Sequence, residues 1–265
     1  MTRVLQISDP HFGTETPDVV DALLTFARDC APQAIVLSGD VTQRARRGQF
    51  AAAQAFLERL PAPVIAVPGN HDIPLFNLWA RWRHPYRNYR RVFGDSLEPE
   101  LETPELLVIG VNSTRPARHK DGQIDEDQVQ RVAERLTRAH ARQLRIVMLH
   151  HPVRAWLEDD RENVVHGRQA AMAAWSAAGA DLVLGGHIHL PYILPIGVGD
   201  PQRTWAVQAG TAVSHRVRGD VPNSVNLITY DASTRHCVVE RWDHGAEGFG
   251  CFQRTAVALM GAHEG

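Results

Sequence analysis

Apolar positions follow two rhythms along the first 190 residues. Compact apolar runs at residues 4–7, 34–37, 64–67, 106–111, 144–149 and 182–184 predict strands covered on both faces. Between them, apolar residues recur at helical spacing: Val20, Leu23, Leu24 and Ala27; Phe50, Ala53, Phe56, Leu57 and Leu60; Val129, Val132 and Leu136. A single apolar stripe of this kind turns one helix face to a core. Thr16-Pro17 predicts the start of the first helix, with Pro where its missing N–H is not needed, and Asp125 predicts the cap of the third. A further helix is expected around residues 168–178. Strands alternating with helices imply parallel pairing through crossovers. Residues 74–105 read as irregular, and they form a candidate lid or insertion.

Past residue 190 the rhythm changes. Short apolar runs at 192–196, 204–208, 224–230, 237–242 and 252–259 follow one another with no helical pattern between them. They predict a second, more antiparallel sheet packed on the first. No stretch rich in Gly, Ser or Pro divides the chain, so one domain over residues 1–265 is expected.

Composition adds little until histidine. The chain is 44% hydrophobic and 22% charged, as in soluble globular proteins. There is neither an apolar run of 18 residues nor a basic-then-apolar leader, so the cytoplasm is the expected compartment and no membrane partner is expected. Three unspaced cysteines, Cys30, Cys237 and Cys251, argue against a disulfide framework and a thiolate zinc site. A net charge of −2 gives no global attraction to nucleic acid or anionic membranes. The 14 histidines change the picture, because imidazole is a common ligand of transition metals.

The chemistry sits where the strands end. The runs lead into Asp9-Pro10-His11, Gly39-Asp40, Gly69-Asn70-His71-Asp72, His150-His151-Pro152 and Gly186-His187-Ile188-His189. Parallel strands bring their carboxyl ends to one edge, where ligands bind. Asp9, His11, Asp40, Asn70, His150, His187 and His189 are seven oxygen and nitrogen donors, whereas one tetrahedral ion needs about four. Two ions about 3.5–4 Å apart, sharing a carboxylate, use the whole set. Residues i and i+2 of an extended segment point the same way, so each Asp-x-His or His-x-His pair can clasp one ion or straddle two.

These ordered blocks resemble the calcineurin-like metallophosphoesterase superfamily, whose pattern is D-x-H, G-D, G-N-H-[DE], a histidine after a strand, and G-H-x-H. The blocks span residues 9–189. The resemblance implies an α/β fold, a four-layer α/β sandwich with two mixed β-sheets flanked by helices. It implies two divalent ions of open identity (Mn, Fe, Zn or Ni). Asp9, His11 and His189 would hold one, Asn70, His150 and His187 the other, and Asp40 would bridge. His150 is preferred to His151 because the family's ligand lies two residues before the proline. The implied reaction is hydrolysis of a small phosphodiester, or a phosphomonoester, by a bridging hydroxide. In this reading His71 contacts the phosphate or protonates the leaving oxygen, and Asp72 orients His71 through a hydrogen bond. Length and spacing are similar to class III cyclic-nucleotide phosphodiesterases and glycerophosphodiesterases. Those enzymes often follow G-N-H-D with a polar residue and Arg, whereas Ile73-Pro74 stand here, which weakens the case for cyclic AMP.

Substrate candidates lie near the blocks. Arg44, with Arg46 and Arg47, follows the Asp40 loop; His119 and Arg115 follow the strand ending at Asn112; His215 and Arg216 follow Gly210-Thr211. Within 74–105, Arg81, Arg83, Arg87, Arg90 and Arg91 interleave with Trp79, Trp82, Tyr86 and Tyr89. They suit phosphate and ring binding, or a solvated helix pair with its aromatic residues turned inward, or a homodimer contact. A nuclease is the enzymatic alternative, opposed by the net charge. A scaffold that lost its chemistry is the third reading, opposed by the retained His71 and seven donors.

Overall fold

Each compact apolar run forms a strand. The computed structural model describes residues 1–196 and 204–259. Strands β1 (Thr2–Ile7), β2 (Ala34–Ser38) and β3 (Val64–Val67) lie parallel, joined by helices α1 (Pro17–Cys30) and α2 (Arg47–Leu57). Strands β5 (Leu106–Gly110), β6 (Leu144–Met148) and β7 (Leu182–Gly185) form a second parallel set, joined by α5 (Glu126–Thr137) and α6 (Arg168–Ala177). Asp125 caps α5 by accepting the Gln128 N–H, as its position predicts.

Alternate residues of each strand enter different cores. In β1, Val4 joins a cluster with Val36, Val108, Ile146 and Leu184 between the two sheets. Leu5 and Ile7 instead pack with Leu23, Leu24, Phe50 and Phe56 of α1 and α2. In the second sheet, Val147 and Val183 pack with Val132, Leu136 and Trp175 of α5 and α6. Strands covered on both faces read as unbroken apolar runs for this reason. The layers run helix, sheet, sheet, helix, as the family resemblance implies.

Two expectations are corrected. The strands after residue 190 do not make a sheet of their own. The strands β8 (Tyr192–Pro195) and β9 (Trp205–Gln208) complete the second sheet, while β10 (Ser224–Asp231), β11 (His236–Gly245) and β12 (Gly248–Val257) extend the first antiparallel from β1. Both six-stranded sheets are therefore mixed. Residues 74–105 are not irregular: they hold α3 (Leu78–Arg83), α4 (Arg87–Phe93) and the edge strand β4 (Glu100–Glu102). These elements are too short to show a period, and tertiary bonds hold them. The buried Arg81 guanidinium donates to the carbonyls of Pro74, Pro116 and Arg118. Tyr86 and Tyr89 turn to the core, but Trp79 and Trp82 are 65% and 79% exposed.

A buried polar ladder joins the sheets beneath the motif loops. Gln6 Nε2 donates to the Gly185 carbonyl at 3.0 Å, and Asn226 Nδ2 donates to Gln6 Oε1 at 2.9 Å and to the Gln208 carbonyl at 3.2 Å. The carboxyl ends of β1, β2, β6 and β7 are thereby set against one another across the sandwich.

Candidate metal centre

The motif loops leave their strands through left-handed backbone. Asp9 (φ 49°), His11 (φ 46°), Asp40 (φ 49°), His187 (φ 74°) and His189 (φ 55°) all have positive φ. Extended geometry therefore does not align the i, i+2 pairs; successive tight turns do. Such conformations cost about 1–3 kcal/mol each and persist where surroundings over-determine them. Here Asp9 N donates to the Gly39 carbonyl (3.1 Å), His11 N to the Asp40 carbonyl (3.0 Å) and Gly186 N to the His150 carbonyl (2.8 Å). Gly39 has φ +90°, and a Cβ there would lie 2.5–2.9 Å from side-chain atoms of His150. A Cβ on Gly186 would strike the Ser8 hydroxyl and the Asp9 carboxylate. Gly39→Ala is therefore expected to destabilise the metal-free chain by more than about 1 kcal/mol in thermal unfolding. Gly48→Ala, in α2 with nothing within 4 Å, is the control, and equal behaviour of the two would contradict this account of the loop.

These turns bring together the residues the motifs single out. Asp9, His11 and His189 offer ligand atoms within 4.8 Å of one another, and so do Asp9, Asp40 and His150. His11 Nε2 faces His189 Nε2 at 3.0 Å, and Asp9 Oδ1 lies 3.3 Å from His189 Nε2. Asp40 Oδ2 stands between the two groups, 3.6 Å from His11 Nε2 and 3.4 Å from His150 Nε2. Asn70 Oδ1 lies 3.2 Å from His150 Nε2. The His187 ring packs beside His150 with centroids 5.1 Å apart.

Backbone carbonyls select the tautomers, a feature no motif shows. His150 donates Nδ1–H to the Ser38 carbonyl at 2.9 Å, and His189 donates Nδ1–H to the Arg216 carbonyl at 2.6 Å. Each Nε2 is thus turned toward the carboxylates, the arrangement that orients metal-binding histidines. His151 also lies within 4.8 Å of His150 and His187, but both its nitrogens are used. Its Nε2–H donates to the Lys120 carbonyl (2.9 Å), and its Nδ1 accepts from the Ser113 hydroxyl (2.8 Å). Both ring nitrogens of His151 are thus taken by neutral partners, whereas His150 Nε2 faces the Asp40 carboxylate at 3.4 Å.

The charge balance suits cations. Burial holds His11 down at about 3 and His187 well below the ordinary histidine value, so both are neutral donors. Burial also opposes charge on His150, but the Asp40 carboxylate and its hydrogen bond, with Asp9 behind, raise it to about 9. Against burial, Asp9 raises His189 in the same way. Burial would raise Asp9 and Asp40, but the surrounding histidines hold both carboxyls below their usual range. The proton held by His150 and the raised His189 thus both answer the two buried carboxylates, a local excess of negative charge that suits cations. The donor set, all carboxylate, amide and imidazole, suits Mn, Fe, Zn or Ni.

The remaining predicted residues divide. His71 borders the cleft, with its N–H donated to Asp40 Oδ1 (2.8 Å) and its Nδ1–H to the Gln43 carbonyl (2.9 Å). The expected Asp72–His71 hydrogen bond is absent. The Asp72 carboxylate points the other way and accepts the N–H groups of Val41, Thr42 and Gly69 and the Thr42 hydroxyl, tying two motif loops together. Burial and the Asp40 charge push Asp72 up to about 7 in the metal-free chain, and its backbone donors oppose the shift.

A cleft of about 610 Å³ opens beside Asp40, Asn70, His71, His187 and His189, and its lining also includes Lys120, Asp159, Asn163 and Arg216. Arg44, His119 and His215 are not among its lining residues. Arg44 lies over the Phe76 ring, 5.3 Å from its centroid, while His119 and His215 point to solvent. Their neighbours Lys120 and Arg216 line the cleft instead. Which way a side chain points from an irregular loop leaves no period in sequence. Arg216 Nη1 donates to Gln43 Oε1 at 2.9 Å and lies 3.4 Å from both ring nitrogens of His11.

Comparison with known proteins agrees with this geometry. A sequence model described as calcineurin-like phosphoesterase matches residues 2–191. The chain is 25% identical over 201 residues to a protein from Synechococcus sp. named a probable cyclic nucleotide phosphodiesterase, covering 72% of this chain and 74% of that one. Two solved structures share the fold. A dimetal phosphatase from Danio rerio superposes with a TM-score of 0.67 at 14% identity, over 97% of this chain and 99% of its own. A purple acid phosphatase from yellow lupin (Lupinus luteus) seeds superposes with a TM-score of 0.75 at 11% identity, over 97% of this chain. The chain spans about half, 54%, of the lupin phosphatase. The chain belongs to the calcineurin-like phosphoesterase family and is a metal-dependent hydrolase of phosphate esters.

Proposed function

We propose that this chain cleaves phosphodiesters with two divalent ions, one held by Asp9, His11 and His189, the other by Asn70, His150 and His187, with Asp40 shared. The observation that carries this reading is the placement of Asp40 Oδ2 between His11 Nε2 and His150 Nε2, at 3.6 and 3.4 Å. When bound, such a pair supplies Lewis acidity toward a phosphoryl oxygen and a nucleophile from water near neutral pH.

The chain's own residues do the rest. The Arg216 guanidinium, steadied by Gln43, binds a nonbridging oxygen from the rim of the cleft. His71 keeps Nδ1–H on the Gln43 carbonyl, and as a doubly protonated ring it passes its Nε2 proton to the departing oxygen and ends neutral with Nδ1–H in place. Asp72 is proposed as a positioning residue, because it fixes the Val41-Thr42 and Gly69 turns that carry Asp40 and Asn70. The diester preference rests on the similarity to the Synechococcus protein and not on wall charge, since Asp160 is paired with Arg218 at 2.8 Å and Lys120 and Arg216 share the cleft lining with Asp159. Hydrolysis of bis-p-nitrophenyl phosphate beside p-nitrophenyl phosphate, with Mn added, tests that preference; faster monoester turnover would contradict it. The Synechococcus relative makes cyclic nucleotides one class of diester to screen.

Two further outcomes are expected. Arg216→Ala should raise KM about tenfold or more, as for loss of a charged hydrogen bond, while Arg44→Ala leaves it nearly unchanged. The reverse ranking in steady-state kinetics would return Arg44 to the site. Metal affinity should fall with acid, since ions bind the unprotonated imidazole. His150 is raised to about 9, so its proton competes at every pH below that value, weakening binding by up to about tenfold per pH unit for that proton. Mn titrations that show no dependence between the ordinary histidine value of 6.5 and about 9 would contradict this charge balance.

A further inference from the structure

Nine large apolar side chains are exposed among the described residues, and seven of them lie in three segments that contain cleft-lining residues or follow or precede them closely in sequence. Phe76, Leu78, Trp79 and Trp82 follow directly on the turn of cleft-lining Asn70 and His71. Trp156 and Leu157 lead into the 3₁₀ turn Glu158–Asn163, which supplies Asp159, Asp160 and Asn163 to the cleft lining. Val217 lines the cleft itself. The tryptophan-bearing helix α3 is not loose, since Arg81 pins it to three backbone carbonyls.

The end of α3, the helix α4 that follows it and the start of α2 carry positive charge outside ion pairs. Arg46, Arg47, Arg83, Arg87, Arg90 and Arg91 are exposed, and none forms an ion pair among the described residues. Arg47 and Arg87 crowd Arg91 closely enough to lower its pKa. The net charge of −2 averages over this local basic face.

We propose that this rim docks on an anionic phospholipid surface, with the cleft turned toward it. Tryptophan is favoured at the level of lipid headgroups, and arginine is drawn to anionic lipid. A second copy of the chain fits less well, because a two-fold contact presents a patch to itself and would set these arginines against one another. No helix of the described residues is long and apolar enough to cross a membrane, so the contact is a surface one. If the phosphodiesterase reading holds, on which this consequence rests, the substrate is a phosphodiester presented at that surface.

The test is co-flotation of the metal-loaded chain with phosphatidylcholine vesicles, with and without phosphatidylglycerol, alongside bis-p-nitrophenyl phosphate turnover. The expected result is binding only to the phosphatidylglycerol vesicles, weakened by salt. The double variant Trp79→Ala, Trp82→Ala should bind on the order of a hundredfold more weakly and keep its turnover of the soluble diester. Absence of flotation with normal diester turnover would overturn docking. So would a dimer in light scattering that the double variant dissociates, which would make a second copy the occupant. Flotation without diester turnover would uphold docking and sink the phosphodiesterase reading instead.

Discussion

Asp40→Ala is expected to strip both ions from the protein and to lower diester turnover by on the order of a thousandfold or more, since Lewis-acid stabilisation of the transition state contributes several kcal/mol. The size of the effect follows from what Asp40 touches. Its Oδ2 is shared between the His11 and His150 groups, and its Oδ1 accepts the His71 N–H. Removal also takes away the charge that holds the His150 proton in the metal-free chain. Asp40→Asn separates these roles: it preserves an acceptor for His71 N–H but removes the charge. Metal analysis should therefore find both variants depleted. Two ions retained at full occupancy in Asp40→Ala would refute the shared position, whatever happened to turnover.

The second large effect is expected at His71. His71→Ala should leave metal content near that of the parent while turnover falls by about 10²–10⁴, the range for loss of a general acid. Metal content is spared because the His71 ring lies outside the donor groups: its Nδ1–H is committed to Gln43, and its edge meets the His11 ring at a centroid distance of 4.9 Å. The loss should shrink for diesters with acidic leaving groups, which need less protonation. A uniform loss across leaving groups would make His71 a phosphate anchor rather than a proton donor. Loss of an ion would make it a ligand.

The legible parts of this molecule are those encoded in short-range pattern. The runs at 4–7, 34–37 and 64–67 announce covered parallel strands, and motif residues placed just beyond them converge because parallel strands share a carboxyl edge. Sheet membership of the later strands was not legible, since pairing of Thr2 with Tyr230 spans most of the chain and leaves no local mark. The pair α3 and α4 was missed because helices of six and seven residues give no sustained period. At the site, residue types were readable but side-chain directions in turns were not. His215 and Arg216 are adjacent, yet only Arg216 lines the cleft. Asp72 was expected to face His71 and instead faces the backbone of Val41 and Thr42. The carbonyls of Ser38 and Arg216, which set the tautomers of His150 and His189, belong to residues with no motif of their own. Every residue has such a carbonyl, so sequence could not single them out.

The central claim is that two ions act together on a diester. Its most direct test is to remove metal from the chain, add back Mn in steps, and follow bis-p-nitrophenyl phosphate turnover against bound metal. Little activity is expected with the first equivalent, full activity with the second, and none at either in Asp40→Ala. Full activity at one equivalent would contradict the paired site, and no turnover with Mn, Fe, Zn or Ni would contradict the proposed reaction.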